Sequence, residues 1–236
     1  MKQEAEKIHR ELWPGGPLYA GDPVQTDSLV LAHFAAGRDG ETVCDLGCGS
    51  GILLLLLLRA CPSLSVTGVE CRPRAAEECR ENLRKNAFSG EILTGDLRTA
   101  PLPAGLFDLV IANPPYFRAG AGGVSPDTDR AIMRQESATL PELCAAAAEL
   151  LSPEGRFCLV HRVERQEEVL AALTGAGLSL TQLRFFQYDT RHDPALFFAE
   201  ARRRPQAKPI VLPPLLQRCE DGRETAEYRK ITHWEA

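Results

Sequence analysis

From residue 42 onward, short apolar runs alternate with stretches of helical periodicity. Thr42–Leu46 predicts a strand, and Gly51–Ala60 a helix behind it. Leu64–Glu70, rich in β-formers and ending in an acid, predicts the next strand. Pro73–Ala87 reads as a helix, with proline in its first turn and Ala, Glu and Arg throughout. Glu91–Thr94 and Phe107–Ala112 are further strands, the second a continuous apolar run suited to burial on both faces. Leu140–Leu151 predicts a helix opened by Pro141, and Ser152-Pro153-Glu154-Gly155 a turn. Phe157–His161 is a strand, Glu164–Gly175 a helix, and Leu178–Tyr188 with Leu196–Arg202 a closing β-pair. Alternation of this kind predicts an α/β protein: a mostly parallel sheet of seven strands covered by helices on both faces. Right-handed crossovers bring the ends of the first four strands to one edge, where ligands bind in open α/β sheets.

The 236 residues, 44% hydrophobic and 25% charged, suffice for one sizeable core and exclude a disordered chain. The longest apolar run, Ile52–Leu58, is far short of the ~20 residues of a membrane span. Met1–Trp13 is charged and lacks the apolar segment of a signal peptide. The eight cysteines have neither C-x-x-C pairing nor histidines at zinc spacing. Reduced thiols, a cytoplasmic location, no membrane and no metal are the expectations. Net charge is −5, which argues against a surface that wraps long nucleic acid. The stretch Ala201–Ala236 nevertheless holds eight Lys/Arg against five Asp/Glu. Its dense part, Arg202, Arg203, Arg204 and Lys208, is either a solvated strand end or an RNA-phosphate contact. Residues 1–204 are taken as one domain and 205–236 as an extension packing on it.

The chemistry-bearing residues fall at the predicted strand ends. Asp45-Leu46-Gly47-Cys48-Gly49-Ser50-Gly51 joins the first strand to its helix, its glycines allowing a sharp turn and close approach of a ligand to the backbone. Its G-x-G-x-G spacing differs from the dinucleotide pattern, and Asp45 would repel a pyrophosphate but attract a cationic ligand. Glu70 can accept from a ribose diol, as strand-end acids do in nucleotide-binding α/β folds. Asp96 can face an adenine amine while the Leu97 N–H reaches a ring nitrogen. Asn113-Pro114-Pro115-Tyr116 stops the fourth strand. It presents the Asn113 side-chain oxygen and the Pro114 carbonyl as two fixed acceptors matched to a planar amino group. Tyr116 can stack on a flat acceptor such as an extruded base. A plain Pro-Pro turn is the alternative.

Together, the Asp45–Gly51 loop, Glu70, Asp96 and Asn113–Tyr116 resemble the class I S-adenosylmethionine-dependent amino-methyltransferases. Pro23–Ser28, Ala131–Glu136, Val160–Arg165 and Leu212–Leu215 narrow the likeness to the bacterial tRNA adenine-N6 methyltransferases that modify the adenine beside the anticodon of a valine tRNA. Met133 and Gln135 stand where small and His-like residues are usual. The resemblance implies a Rossmann-like fold with an antiparallel C-terminal β-pair, S-adenosylmethionine as methyl donor, S-adenosylhomocysteine as product, and an RNA substrate. Asp45, Gly47, Gly49 and Gly51 would line the methionine part, Glu70 would hold the ribose, Asp96 with Leu97 the adenine, and Asn113 would border the cofactor as well. Gln25 and Thr26 would close over the cofactor, although an ordinary helix start capped by Thr26 or Asp27 explains them equally well. Asn113, Pro114 and Tyr116 would carry the reaction, with Pro115, Tyr116, Phe117 and Arg202–Arg204 meeting the substrate. His161 and Arg162 would be structural or near the substrate.

The same motif serves DNA adenine, rRNA guanine-N2 and protein-glutamine methyltransferases. The last usually carry a separate N-terminal helical domain, and the guanine enzymes often a duplicated one. A nicotinamide-dependent oxidoreductase leaves Asn113–Tyr116 unexplained, and a non-catalytic cofactor- or RNA-binding protein would not need its motifs intact.

Overall fold

The computed structural model describes residues 8–9, 18–20, 24–116, 138–204 and 208–232. Phe117 and the Ala131–Glu136 segment lie outside the described residues. A two-stranded ribbon, β1 (Ile8–His9) and β2 (Leu18–Tyr19), precedes α1 (Thr26–Ala35). Then come β3 (Thr42–Leu46), α2 (Ile52–Ala60), β4 (Ser65–Glu70), α3 (Pro73–Lys85), β5 (Glu91–Thr94) and β6 (Phe107–Ala112). The second half holds α4 (Leu140–Leu150), β7 (Leu151–Arg162), α5 (Gln166–Gly175), β8 (Ser179–Gln187) and β9 (Leu196–Arg202). Two-residue strands β10 (Ile210–Val211) and β11 (Leu215–Leu216) and a final helix α6 (Ala226–Thr232) complete it. No helix among the described residues is long and apolar enough to cross a membrane.

Strands β5-β4-β3-β6-β7 form a parallel core, β9 pairs antiparallel with both β7 and β8, and β10 and β11 extend the β8 edge. The seven expected strands are all present, and the tail adds two short ones. Period-two alternation sorts each strand between two cores. Val43, Leu109 and Ile111 pack with α1, α2, α3 and α6, whereas Cys44, Val110 and Ala112 pack with α4 and α5. Leu53 to Leu58 are all buried, so α2 is apolar all round, as a helix enclosed on every side must be. α3 buries only Ala76, Cys79, Asn82 and Leu83, one face at helical spacing. α4 begins with a capping box in which Thr139 and Glu142 satisfy each other's backbone N–H groups. Leu215, Tyr228 and Ile231 of the tail are buried in the same cluster as α1 and α2.

One local expectation fails. Ser152–Gly155 is no free turn but extended backbone within β7, where the register with β6 jumps from Phe107↔Leu151 to Leu109↔Arg156. At Gly155 a Cβ would lie 2.6 Å from the Phe107 carbonyl oxygen, so the strands approach too closely there for a side chain.

Candidate active site

From β3 the chain crosses to β4 and β5 on one side, then returns to β6 on the other. The crevice at this reversal is where an α/β sheet leaves room for a ligand. A cavity of about 560 Å³ occupies it, lined by the ends of β3, β4, β5 and β6 and the first turn of α1. The chain turns from β3 into α2 through Gly47, Gly49 and Gly51, all at positive φ (81°, 55° and 88°). A Cβ on Gly47 would meet nothing within 4 Å, so this stretch of backbone is open to a ligand. A Cβ on Gly51 would lie 2.5 Å from Cys79 Sγ, so this glycine is demanded by the packing of the loop on α3. Asn82 of α3 secures the loop by donating to the Ser50 carbonyl at 2.9 Å.

Asp45 lines the cavity at 1% exposure, and neither carboxylate oxygen finds a hydrogen-bond partner among the described residues. Burial, reinforced by the neighbouring Glu70 charge, pushes its pKa up to about 8. Glu70 is also buried, but it is satisfied. Its Oε2 accepts from the Gly49 N–H at 2.9 Å, and Oε1 from the Arg72 N–H and Nε, each at 2.9 Å. Burial works to raise the pKa of Glu70, and the Arg72 and Gly49 hydrogen bonds overcome it, holding the group below the usual carboxylate range. Asp96 and Leu97 line the β5 end of the cavity. Asp96 accepts from Arg98 through both oxygens, which keeps it ionised, and Arg98 reaches on to Glu142 at 3.2 Å. The cavity therefore suits a ligand with a cationic group for Asp45 and hydroxyl or amino donors for Glu70 and Asp96.

On the β6 side, Asn113, Pro114, Pro115 and Tyr116 line the same cavity. Asn113 Nδ2 donates to Ser28 Oγ at 3.2 Å, and Tyr116 Oη lies 3.2 Å from Asn113 Oδ1 and 2.6 Å from Asp27 Oδ2. Arg162 sits over the Tyr116 ring, 5.8 Å from its centroid, and His161 meets it edge-on at 5.4 Å. His161 is fully buried and outside the cavity lining. Its Nδ1 accepts from the Arg162 N–H at 2.8 Å, and burial followed by the Arg165 charge lowers its pKa to about 4. It is a neutral packing partner of Tyr116.

Gln25 lines the cavity, but Thr26 turns away, its hydroxyl 3.2 Å from the Tyr228 Oη of α6. Neither caps α1 through its side chain. Thr26 instead borders a smaller adjoining hollow of about 330 Å³ beside Tyr116 and Arg162. The structure does not bring Arg202, Arg203 and Arg204 to the cavity. Because β9 runs antiparallel to β7, its last residue falls at the opposite edge of the sheet. There Arg202 bonds Glu200 and the Glu154 carbonyl, Arg203 the Ala148 and Glu149 carbonyls at the end of α4, and Arg204 pairs with Glu154. Three residues of the site were not foreseen in those places. Arg72 lies two residues past Glu70 with nothing to distinguish it from any helix-start cation, and Asp27, with Ser28 beside it, reads as an ordinary helix cap.

A family model described as the methyltransferase small domain matches residues 17–176. Curated relatives include the tRNA1(Val) (adenine(37)-N6)-methyltransferase of Porphyromonas gingivalis, 35% identical over 158 residues, which are 62% of this chain and 61% of that protein. The protein of the same name from Shewanella amazonensis is 35% identical over 69% of this chain and 70% of its own. The chain spans about three fifths of the length of the Porphyromonas relative. Among solved structures, a predicted O-methyltransferase from Agrobacterium tumefaciens superposes with a TM-score of 0.70 at 22% identity, covering 87% of this chain and 95% of that one. A SAM-dependent methyltransferase from Aquifex aeolicus gives 0.55 at 15% identity, over 74% and 88% of the two chains. These two show the fold.

Proposed function

The chain belongs to the methyltransferase small domain family, and on that premise we propose that it transfers the methyl group of S-adenosylmethionine to the exocyclic N6 amine of an adenine in RNA. The substrate we propose is tRNA, at the adenine beside the anticodon (position 37), modified in the cytoplasm. The family model spans residues 17–176, which include every residue lining the cavity, and relatives of that activity are about 35% identical to this chain. What carries the reading is the presence, within one cavity, of the buried Asp45 carboxyl, which has no hydrogen-bond partner among the described residues, together with Asn113 and Pro114 at the end of β6.

S-adenosylmethionine supplies a methyl group already activated on sulfonium sulfur, so the transfer calls for positioning and no nucleophilic side chain. Asp45 fits its ammonium group, Glu70 its ribose, and Asp96 with the Leu97 N–H its adenine. Gly47, Gly49 and Gly51 let the backbone lie against it, and Gln25 borders it from the start of α1. Asn113 Oδ1 and the Pro114 carbonyl accept the two N–H bonds of the acceptor amine. An amine conjugated with a purine is a weak nucleophile because its lone pair is delocalised. As the nitrogen turns tetrahedral and gains positive character, those two hydrogen bonds strengthen, so the transition state gains more than the ground state. Transfer would form the N–C bond at the expense of the sulfonium S–C bond, and the surplus amine proton would leave to solvent. Pro115 and the Tyr116 ring meet the base.

The test is methyl transfer from labelled S-adenosylmethionine to tRNA lacking its modifications, read by nucleoside mass spectrometry. N6-methyladenosine is the expected product. Methylated guanosine, a methylated protein glutamine, or cofactor binding without any transfer would each replace the reading.

A further inference from the structure

How Asn113 is kept ready to accept an amine follows from its neighbours, given the amino-methyltransferase reading above. Tyr116 Oη lies between two oxygens, Asp27 Oδ2 at 2.6 Å and Asn113 Oδ1 at 3.2 Å. A phenol has a single hydrogen, and a carboxylate is both the nearer and the stronger acceptor, so that hydrogen goes to Asp27. The other Asp27 oxygen accepts from the Ser28 N–H at 2.7 Å and from Ser28 Oγ at 3.4 Å. With its hydrogen turned toward Asp27, the Ser28 hydroxyl meets Asn113 as an acceptor, receiving Nδ2 at 3.2 Å. The Asn113 amide is thereby oriented with its NH₂ toward α1 and its carbonyl toward Tyr116. Asp27 is 8% exposed, so its bond to Tyr116 is shielded from bulk water.

We infer that Asp27 is a positioning residue for methyl transfer: by taking the only hydroxyl hydrogen of Tyr116 it leaves Asn113 Oδ1 open to the amine of the acceptor. Without a carboxylate at this place, the Tyr116 hydrogen turns to Asn113 Oδ1 and occupies the oxygen the amine needs. Support for the first turn of α1 would be a different role, and it makes no demand on the direction of the Tyr116 O–H bond.

Asp27→Asn separates the two roles. The amide keeps the size of the carboxyl, but its NH₂ donates to Tyr116 Oη and sends the hydroxyl hydrogen to Asn113. The turnover number should fall by about 100-fold or more, the range for a lost transition-state hydrogen bond, with S-adenosylmethionine affinity held within about twofold. Adding Tyr116→Phe removes the hydrogen that blocks Asn113, so Asp27→Asn/Tyr116→Phe should be faster than Asp27→Asn alone. A variant that merely folds badly cannot be rescued this way. In the ligand-free protein, the ring Cζ carbon resonance of Tyr116, assigned by its loss in Tyr116→Phe, should move in Asp27→Asn. An active wild type beside an equally active Asp27→Asn, or a double variant no faster than the single one, overturns the inference and leaves the proposed function standing. A wild type that binds S-adenosylmethionine and methylates no RNA overturns the proposed function, and this inference with it.

Discussion

Asp45→Asn tests the electrostatics of the cavity without requiring any substrate. Asp45 is buried with no hydrogen-bond partner among the described residues, and its pKa rises from an ordinary 3.8 to about 8. Between those two values the folded protein holds a proton that the unfolded chain has released. Stability therefore falls as pH rises through the window, by about 1.4 kcal/mol per pH unit, and the loss is complete above the folded pKa. Asparagine does not titrate, so it escapes this loss. The stability advantage of the ligand-free variant over wild type should grow by about 2–3 kcal/mol between pH 6 and pH 9, most of it below pH 8. Urea unfolding of both proteins at the two pH values reads it directly, because titrating groups not coupled to Asp45 cancel in the comparison. The same substitution should weaken S-adenosylmethionine binding by about 30-fold or more, the cost of removing one partner from a buried charge pair. Calorimetry at pH 9 checks that half. A stability gap that is the same at pH 6 and pH 9, or a variant that binds the cofactor as tightly as wild type, refutes the reasoning.

Two further substitutions address the scaffold. Gly51→Ala places a side chain at φ 88° and pushes its Cβ to 2.5 Å from Cys79 Sγ. It should cost about 1–3 kcal/mol in thermal or urea unfolding and weaken cofactor binding. Replacing Arg202, Arg203 and Arg204 together by alanine should leave KM for tRNA unchanged, since these side chains bond the far edge of the sheet. A marked rise in KM would return them to the substrate surface.

The parallel strands were legible because a strand buried on both faces is a continuous apolar run with an abrupt polar end. Phe107–Ala112 keeps its expected bounds for that reason, and Thr42–Leu46 and the edge strand Glu91–Thr94 keep theirs as well. Asp45, Glu70, Asp96 and Asn113 converge because parallel neighbouring strands deliver all their carboxyl ends to one edge. What escaped is set by tertiary geometry. The basic end of β9 gives no local sign of which edge of the sheet it reaches, and the structure carries Arg202–Arg204 to the edge opposite the cavity. Ser152-Pro153-Glu154-Gly155 has the composition of a turn, and only the approach of β6 to β7 draws it into the sheet. Asp27 and Ser28 carry a helix-cap signature, and their contacts with Tyr116 and Asn113 cross more than eighty residues of chain. No periodicity encodes such a contact.

The central claim is that Asn113 serves the acceptor amine and not the cofactor. Single-turnover methyl transfer to unmodified tRNA by Asn113→Ala, with S-adenosylmethionine affinity measured on the same preparation, addresses it most directly. The account predicts transfer lost while cofactor affinity stays at the wild-type level. Full transfer by the variant, or loss of both properties together, contradicts it.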